Sequence, residues 1–584
     1  MKKFNVLLLL QLVAATAFGQ ITLTGTVKGD GEPLAGASVI INQTFYGVSS
    51  QSDGSFEFKN LKKGDYTLQV SFVGFESKEV EVNIDSDKNI EINLQPNVVM
   101  TDEVLISAIR AKGKTPMAYN NIDGTEIAKK NMGQDIPYLL QLSPSFVATS
   151  DAGAGIGYTN FRIRGTDLNR INVTVNGIPL NDAESHGTWF VDLPDLASSL
   201  DNVQIQRGVG TSTNGAAAFG ATINLQTNTL NKDAYGQIRT AAGTFNTFKN
   251  TVAAGSGLLG DHFAFDVRLS KVTSDGYIDR ASSDLKSFFV SGGYYAENTV
   301  IKLNIFSGFE ETYQAWNGIP SELLETNRTY NSAGEYTDDE GNIRYYENQV
   351  DHYQQDHYQL HFSNKFNQTW NINASGHYTY GRGYYENYKE DEDLEDYQLD
   401  PIFIGSDTIS STNLVNRKWL DNDFYGLTFS VNYNENKSDF TFGGGYSVYD
   451  GDHFGNVIWA ENYGVKNPNH EWYRSNGLKK DFNVFAKYNF LLTEKLSLFA
   501  DVQYRNINYA IEGIDDDLRD LTQEHKFNFF NPKLGVFYQL ANNQELYFSY
   551  ARANREPNRT AYVDYPAGQE PPVHETLNDF ELGY

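Results

Sequence analysis

No cysteine occurs among the 584 residues. That absence excludes disulfides, thiolate metal sites, a cysteine nucleophile and a lipidated N-terminal cysteine. It fits an exported chain that avoids thiol chemistry in an oxidising compartment. Long apolar runs are missing too: beyond the N-terminus none approaches the roughly 18 residues that a membrane-spanning helix needs, and mean hydropathy is −0.48. A chain like this that crosses a membrane must cross as a barrel, the other way to satisfy backbone groups in lipid. Basic residues are in deficit, with 46 Lys and Arg against 74 Asp and Glu and a net charge of −28. A polyanion's partner needs the reverse balance, so no nucleic-acid partner is expected. What the chain has in plenty is aromatic surface, 37 Tyr and 37 Phe, and length enough for several domains.

Taken in order, residues 1–19 read as a secretory signal peptide: Lys2 and Lys3, an apolar core, then the small residues Ala17 and Gly19 before Gln20. Residues 20–96 carry short alternating runs at 22–27, 37–41, 55–58, 66–72 and 90–94. Turn residues such as Gly29-Asp30-Gly31 and Asp53-Gly54 separate them. About 75 residues of closely spaced strands predict a small β-sandwich. Residues 97–116 form a linker that includes Asp102, Glu103, Val104, Leu105, Ile106, Ser107 and Ala108, an extended, β-prone strip suited to partner binding by strand addition. From 117 to 228 the texture is that of a compact α+β insert. Helical spacing comes first, around Gly124–Lys130 and Asp135–Leu142. A strand over 171–175 follows, then the two-residue turn Asn176-Gly177, and further strands near 203–207 and 220–227.

From 229 to 584 the pattern changes to alternating segments of about ten residues, such as 263–269, 300–306, 482–488 and 496–504. Tilted strands of that length match the hydrocarbon thickness of a bilayer. Short connections near 434–437 and 542–543 alternate with long ones over 310–351, 383–419 and 450–479, the asymmetry of periplasmic turns and extracellular loops. Roughly fourteen strands are expected. The acidic run Glu390–Asp396 is placed in an outward loop, where it is either solvated or a site for divalent cations.

The segment 157–227 resembles the plug domain of TonB-dependent outer-membrane receptors. The resemblance rests on Arg164-Gly165, Asn176-Gly177-Ile178-Pro179, Arg207-Gly208, Gly215, Phe219-Gly220 and Ile223-Asn224 in that order. Asn176 stands where the family more often has Asp. Gly36–Val39, Ser52–Phe56 and Gly64–Tyr66 give the N-terminal sandwich a similarity to the carboxypeptidase-regulatory-like domain that precedes receptors of Bacteroidetes type, and Asp102–Ala108 is similar to a TonB box.

The resemblance implies an outer-membrane protein whose fold is a transmembrane antiparallel β-barrel, with an α+β plug and an N-terminal β-sandwich, the last two on the periplasmic side. The family's barrel has twenty-two strands, so the chain is expected to be incomplete at its C-terminus. The two Arg-Gly arginines, Arg164 and Arg207, are expected to face carboxylates of the barrel wall in costly-to-break buried pairs that hold the plug in register, and nearby Arg162 is placed with them as a plug-anchoring charge. Gly165 and Gly208 supply tight turns beside them, and Asn176-Gly177 supplies the hairpin. Asp182, Glu184, His186 and Trp189, at the plug apex, are the candidate ligand contacts.

No enzyme is expected. None of the ten histidines begins His-Glu-x-x-His or His-x-x-Glu, and Gly208–Gly215 lacks the Gly-Lys-Ser/Thr of a phosphate-binding loop. Neither catalytic residue, metal ligand nor cofactor is implied. The partners implied are the energy-coupling complex of TonB, ExbB and ExbD, outer-membrane lipid, a metal chelate or other small ligand, and, for some members, a surface lipoprotein. The plug's ordinary spacing points to a ferric siderophore. Cobalamin, haem or an oligosaccharide stand as alternatives within the class, a passive porin or a secreted adhesive β-protein outside it.

Overall fold

The computed structural model describes residues 21–584, apart from 30, 35, 43, 45, 52, 73–74, 76–77, 95–109, 112, 213–218, 228, 436, 463, 465–468, 542–543 and 566–568. The expected signal peptide, the strip Asp102–Ala108 and Gly215 therefore lie outside the described residues. The chain divides into two compact units, 1–100 and 101–584.

In the first unit the strands are β1 (Ile21–Gly29), β2 (Glu32–Pro33), β3 (Ser38–Ile41), β4 (Gly47–Ser49), β5 (Ser55–Leu61), β6 (Gly64–Ser71), β7 (Lys78–Ile84) and β8 (Lys88–Leu94). One sheet joins β1 to β2, β5 and, in parallel, β8; the other runs β4-β3-β6-β7. Alternation drives the packing, since every second residue of β1 is buried and Leu23, Phe58, Leu68 and Val70 are sealed in one core. This is the expected sandwich. β7, rich in Lys and Glu, escaped the sequence reading although Val82 and Ile84 alternate inward.

The second unit begins with the plug. It contains β9 (Ala118–Asp123), α1 (Gly124–Lys130), α2 (Ile136–Leu140), β10 (Phe146–Ser150), β11 (Thr159–Ile163), β12 (Thr166–Asp167), β13 (Ile171–Val175), β14 (Ile178–Pro179), β15 (Leu200–Arg207) and β16 (Ala221–Thr227). The main sheet runs β14-β13-β16-β15-β9, with β13 and β16 parallel. All residues of β13 and β16 are buried, as expected of strands covered on both faces. At the β13–β14 turn, Asn176 (φ 54°) and Gly177 (φ 81°) both take positive φ, the requirement that Asn-Gly meets at low cost.

The wall comprises β17 (Ala234–Gly243), β18 (Thr247–Ser256), β19 (Phe263–Ser274), β20 (Ser283–Tyr295), β21 (Thr299–Tyr313), the loop hairpin β22 (Glu335–Thr337) and β23 (Ile343–Tyr345), β24 (Val350–Lys365), β25 (Trp370–Asp393), a second loop hairpin β26 (Ile402–Ile404) and β27 (Asp407–Ile409), β28 (Ser411–Glu435), β29 (Ser438–Ala460), β30 (His470–Leu491), β31 (Leu496–Gly513), β32 (Gln523–Ala541), β33 (Gln544–Arg555) and β34 (Glu575–Gly583). A single 14-stranded sheet joins all but the loop hairpins in sequence order, with β17 and β34 as its edges. Its polarity is inverted. Val252, Phe265, Leu269, Leu360, Leu427 and Phe530 point outward and exposed, while Thr251, Arg268, Ser270, Asn304, His361 and Ser363 are buried inside. Membrane strands need that alternation, lipid on one side and a polar lumen on the other. No helix among the described residues is long and apolar enough to cross a membrane.

The short connections lie at one end of the wall (257–262, 296–298, 366–369, 492–495) and the long ones at the other (314–349, 394–410, 556–574). Two segments expected to be long loops are mostly strand. β25 and β28 fill much of 383–419, and β29 and β30 much of 450–479. Their alternation continues past the bilayer span, which is why length alone misjudged them. The acidic run Glu390–Asp396 is likewise not open loop: Glu390–Asp393 end β25, and the rest enters a 3-10 turn in which Leu394 is buried.

Candidate functional site

The plug loop 180–192 follows directly from the β13–β14 hairpin and faces the long-loop end of the wall. Its shape is set locally. The Asp182 carboxylate accepts from the backbone N–H groups of Glu184 (3.1 Å) and Ser185 (2.7 Å) and from the Ser185 hydroxyl (2.6 Å). Asn181 bridges strand and loop, its Oδ1 accepting from Val173 N–H and its amide donating to the carbonyls of Ile171 and His186. This fixed loop floors a cavity of about 390 Å³ that includes Tyr158 and Trp189 from the plug and Tyr353, Tyr385, Tyr449 and Tyr473 from the wall. On the opposite, outward face of the same strands Trp419 packs against Tyr384 at 4.6 Å and stacks on Phe454 at 5.8 Å between ring centres.

Four carboxylates line the same cavity, Asp182, Glu184, Asp192 and Asp351. The two lining cations, Lys418 and Arg559, are already paired with Asp516 and Glu184. Burial pushes the Asp192 carboxyl well above the usual carboxylate range, and the neighbouring Asp351 and Asp182 push it further. The cavity thus presents ring faces and hydrogen-bond acceptors, with its positive charge internally neutralised.

Of the expected ligand contacts, Trp189 and Asp182 line the cavity. Glu184 lines it too, but chiefly as a clasp to the wall: it accepts from Tyr509 (2.5 Å), His453 Nε2 (2.6 Å) and Arg559 (3.2 Å). Burial alone would raise its pKa, yet His453 and Arg559 beside it hold the carboxyl down at about 2. His186 lies outside the aromatic cavity. It is buried with its Nε2 3.1 Å from Lys479 Nζ and 3.3 Å from Glu556, and burial with the Lys479 charge lowers its pKa to about 4, leaving a neutral imidazole.

Arg164 donates to Glu581 of β34, but that arginine side chain is 38% exposed, so the pair is not a dry one. Arg207 lies beside the same carboxylate. Arg162 is exposed and sits opposite Val147 and Asp167 within the plug; among the described residues no wall carboxylate pairs with it. A one-residue difference in strand phase separates inward Ile163 from outward Arg162 and Arg164. Gly165 (φ 82°) and Gly208 (φ 90°) do occupy turns, and a Cβ on Gly208 would lie 2.7 Å from Glu581 Oε1. Asn176 reaches the wall, donating to Gln359 at 3.3 Å.

A further buried ion cluster between plug and wall lies at Asp195, which the sequence reading missed. Its carboxylate accepts from Lys249 Nζ (2.6 Å), Ser270 (2.6 Å), Thr251 (2.7 Å) and Asn131 (2.9 Å), and Arg268 donates to its backbone carbonyl (2.8 Å). Burial opposes its ionisation, but Lys249 and Arg268 hold it well below the usual range. The available clue was Lys249 and Arg268 themselves, cations on the lumen phase of membrane strands, which need an acid inside.

Comparison with known proteins agrees with this geometry. The TonB-dependent receptor-like β-barrel family matches residues 293–584, the TonB-dependent receptor plug domain 111–222, and the CarboxypepD_reg-like domain 23–106. A curated relative, the TonB-dependent receptor SusC of Bacteroides thetaiotaomicron, is 29% identical over 204 residues, which span 31% of this chain and 19% of that protein. Two solved structures share the fold. The ferric-catecholate import receptor Fiu of E. coli K12 in its closed form has a TM-score of 0.61, with 16% identity over 80% of this chain and 71% of its own. The ferric yersiniabactin uptake receptor FyuA of Yersinia pestis has 0.58, with 13% identity over 80% and 69%. With a plug seated against a wall of lipid-facing strands, and half of the chain matched by the barrel family, this protein belongs to the TonB-dependent receptors of the bacterial outer membrane.

Proposed function

We propose that the protein imports an uncharged, hydroxyl-rich ligand of the oligosaccharide class across the outer membrane, driven by the TonB–ExbB–ExbD complex acting on Asp102–Ala108. The observation that carries the ligand class is the cavity lining: aromatic faces and carboxylates, with both cations already paired. Ring faces accept the apolar faces of sugars, and carboxylates accept hydroxyl donors. The ferric siderophore expected from plug spacing fits less well where the chelate is anionic. Its charge would meet Asp182 and Asp351, and like charges 4 Å apart repel by about 4 kcal/mol in a partly buried setting. The cavity's size lies within the roughly 300 to 1,000 Å³ usual for small-ligand sites.

The test is calorimetric titration of the purified receptor with an oligosaccharide panel and with an anionic ferric catecholate. An oligosaccharide should bind, and Trp189→Ala should weaken it by about 30-fold, the loss of one central aromatic anchor. Deleting 102–108 should abolish uptake in cells while leaving that binding unchanged. Binding of the ferric catecholate alone would overturn the ligand class, and uptake that survived the deletion would overturn energy coupling.

A further inference from the structure

The plug is fastened unevenly around the wall. Toward β19–β21 the contact is dry: Phe289 and Phe306 belong to the plug's own hydrophobic core, and Val272 and Leu285 pack with plug residues Ile156 and Val191. The approach there is so close that a Cβ on Gly308 would lie 1.9 Å from the Asp192 carbonyl oxygen. Asp195, held by β18 and β19, is pinned on the same side. At β33 and β34 a smaller apolar contact joins Val209 and Phe219 to Ala553 and Leu577.

Between these attachments the described contacts are polar and come largely from two loops. Glu184 and the Ala183 carbonyl engage His453, Tyr509 and Lys479, and the Ser212 backbone engages Asp501 and Gln503.

On that same sector three cavities follow one another down the strands. The outermost is the aromatic one. Next comes a narrow one of about 80 Å³ that includes Asn181 and His186 on the plug and Phe424, Ser447 and Asn483 on the wall. At the short-turn end lies one of about 360 Å³, with Arg110 and Thr211 on the plug side and Asn432, Thr441, Lys487 and Asn489 on the wall. All three share β28, β29 and β30. Along β28 the series runs from Leu420 to Asn432. At about 3.3 Å per residue and a tilt of about 45°, that is a depth of about 28 Å, close to the roughly 30 Å of hydrocarbon. The cavities therefore mark the full membrane crossing, interrupted where the loop 181–187 meets the wall.

We propose that the ligand crosses between the plug and β28–β30, with the loop 181–187 as the barrier that withdraws, while the side of the plug against β18–β21 stays docked as the hinge. The proposal rests on the reading of energy-coupled import but not on the ligand's identity. The loop 181–187 meets the wall through hydrogen bonds and ion pairs, without the shared apolar core of the β19–β21 side, and segments with few buried apolar contacts open at lower free energy, so a pull on the plug separates the polar sector first.

The test exploits the absence of native cysteine. Single variants Ser447→Cys and Asn432→Cys report on the route; Ser291→Cys and Asn304→Cys report on the hinge side. Cells in rich medium, which supplies oligosaccharide and ferric chelates alike, are treated with a membrane-impermeant maleimide with and without a protonophore. Energised cells should label residues 447 and 432 at least tenfold faster than de-energised cells, with less than twofold change at 291 and 304. Heat-shift electrophoresis confirms that each variant is folded. A rise at 291 and 304 without one at 447 and 432 overturns the route and leaves energy-coupled import standing. No rise at any position also overturns the route, and import itself falls only if uptake also survives deletion of 102–108.

Discussion

Replacing Asp195 by Ala should loosen the plug more than any change at the plug arginines. The carboxylate is fully buried, and its loss leaves Lys249 and Arg268, 2% and 4% exposed, facing each other without an anion. Orphaning one partner of such a buried group costs about 3 to 5 kcal/mol. With tenfold in equilibrium per 1.36 kcal/mol, the opening constant of the plug segment 193–199 should rise by about 10² to 5 × 10³. Amide hydrogen exchange followed by mass spectrometry reads that constant directly in the purified receptor, where the wall's own hydrogen bonds serve as an internal control. Asp195→Leu combined with Lys249→Met should recover part of the loss, because a buried pair replaced by apolar side chains of similar size is often neutral. A change below tenfold for Asp195→Ala would refute the reasoning, since it would mean that water already reaches both cations.

Two further outcomes follow from charges at the plug. Burial raises the Asp135 carboxyl to about 8, with the Thr159 hydroxyl donating to it at 3.0 Å. The folded state therefore keeps a proton that the unfolded state gives up, so plug stability should fall as pH rises from about 4 toward about 8 and level off above. Asp135→Asn should flatten that dependence in denaturant titrations followed across pH; an unchanged slope would assign it to another group. Arg164→Ala should alter exchange near β11 by less than fivefold, because a pair this exposed contributes about 0.2 to 1 kcal/mol and Arg207 remains beside Glu581; a loss above tenfold would show that the pair is effectively dry.

The wall was legible in sequence because lipid and lumen impose a period of two on every strand, and that period survives in segments such as Phe263–Leu269. The plug hairpin was legible because Asn176-Gly177 answers a steric demand that few other pairs meet. Pairing across the lumen was not. Glu184 and His186 could be singled out as apex residues, but their partners His453, Tyr509, Arg559 and Glu556 lie about 270 to 375 residues away, and no local pattern carries such a distance. Asp195 was hidden for a further reason: Leu193-Pro194-Asp195 reads as an ordinary turn, and its left-handed φ of 53° is visible only in the structure. How dry the Arg164 pair is could not be read either, because Arg-Gly spacing fixes the turn but not how far the side chain is covered.

The long hairpins have a kinetic consequence. β25 and β28 contain 24 and 25 residues; at about 3.3 Å per residue and about 45° of tilt each rises about 55 Å, so about 25 Å of wall stands beyond the roughly 30 Å of hydrocarbon. On the lumen side its upper part carries Tyr385 and Tyr473. A solute that touches this parapet is already screened from bulk solution on one side, and a single dissociation is followed by another encounter with the next ring. Retention of a dilute nutrient is then governed by the height of the wall as much as by the strength of any one contact.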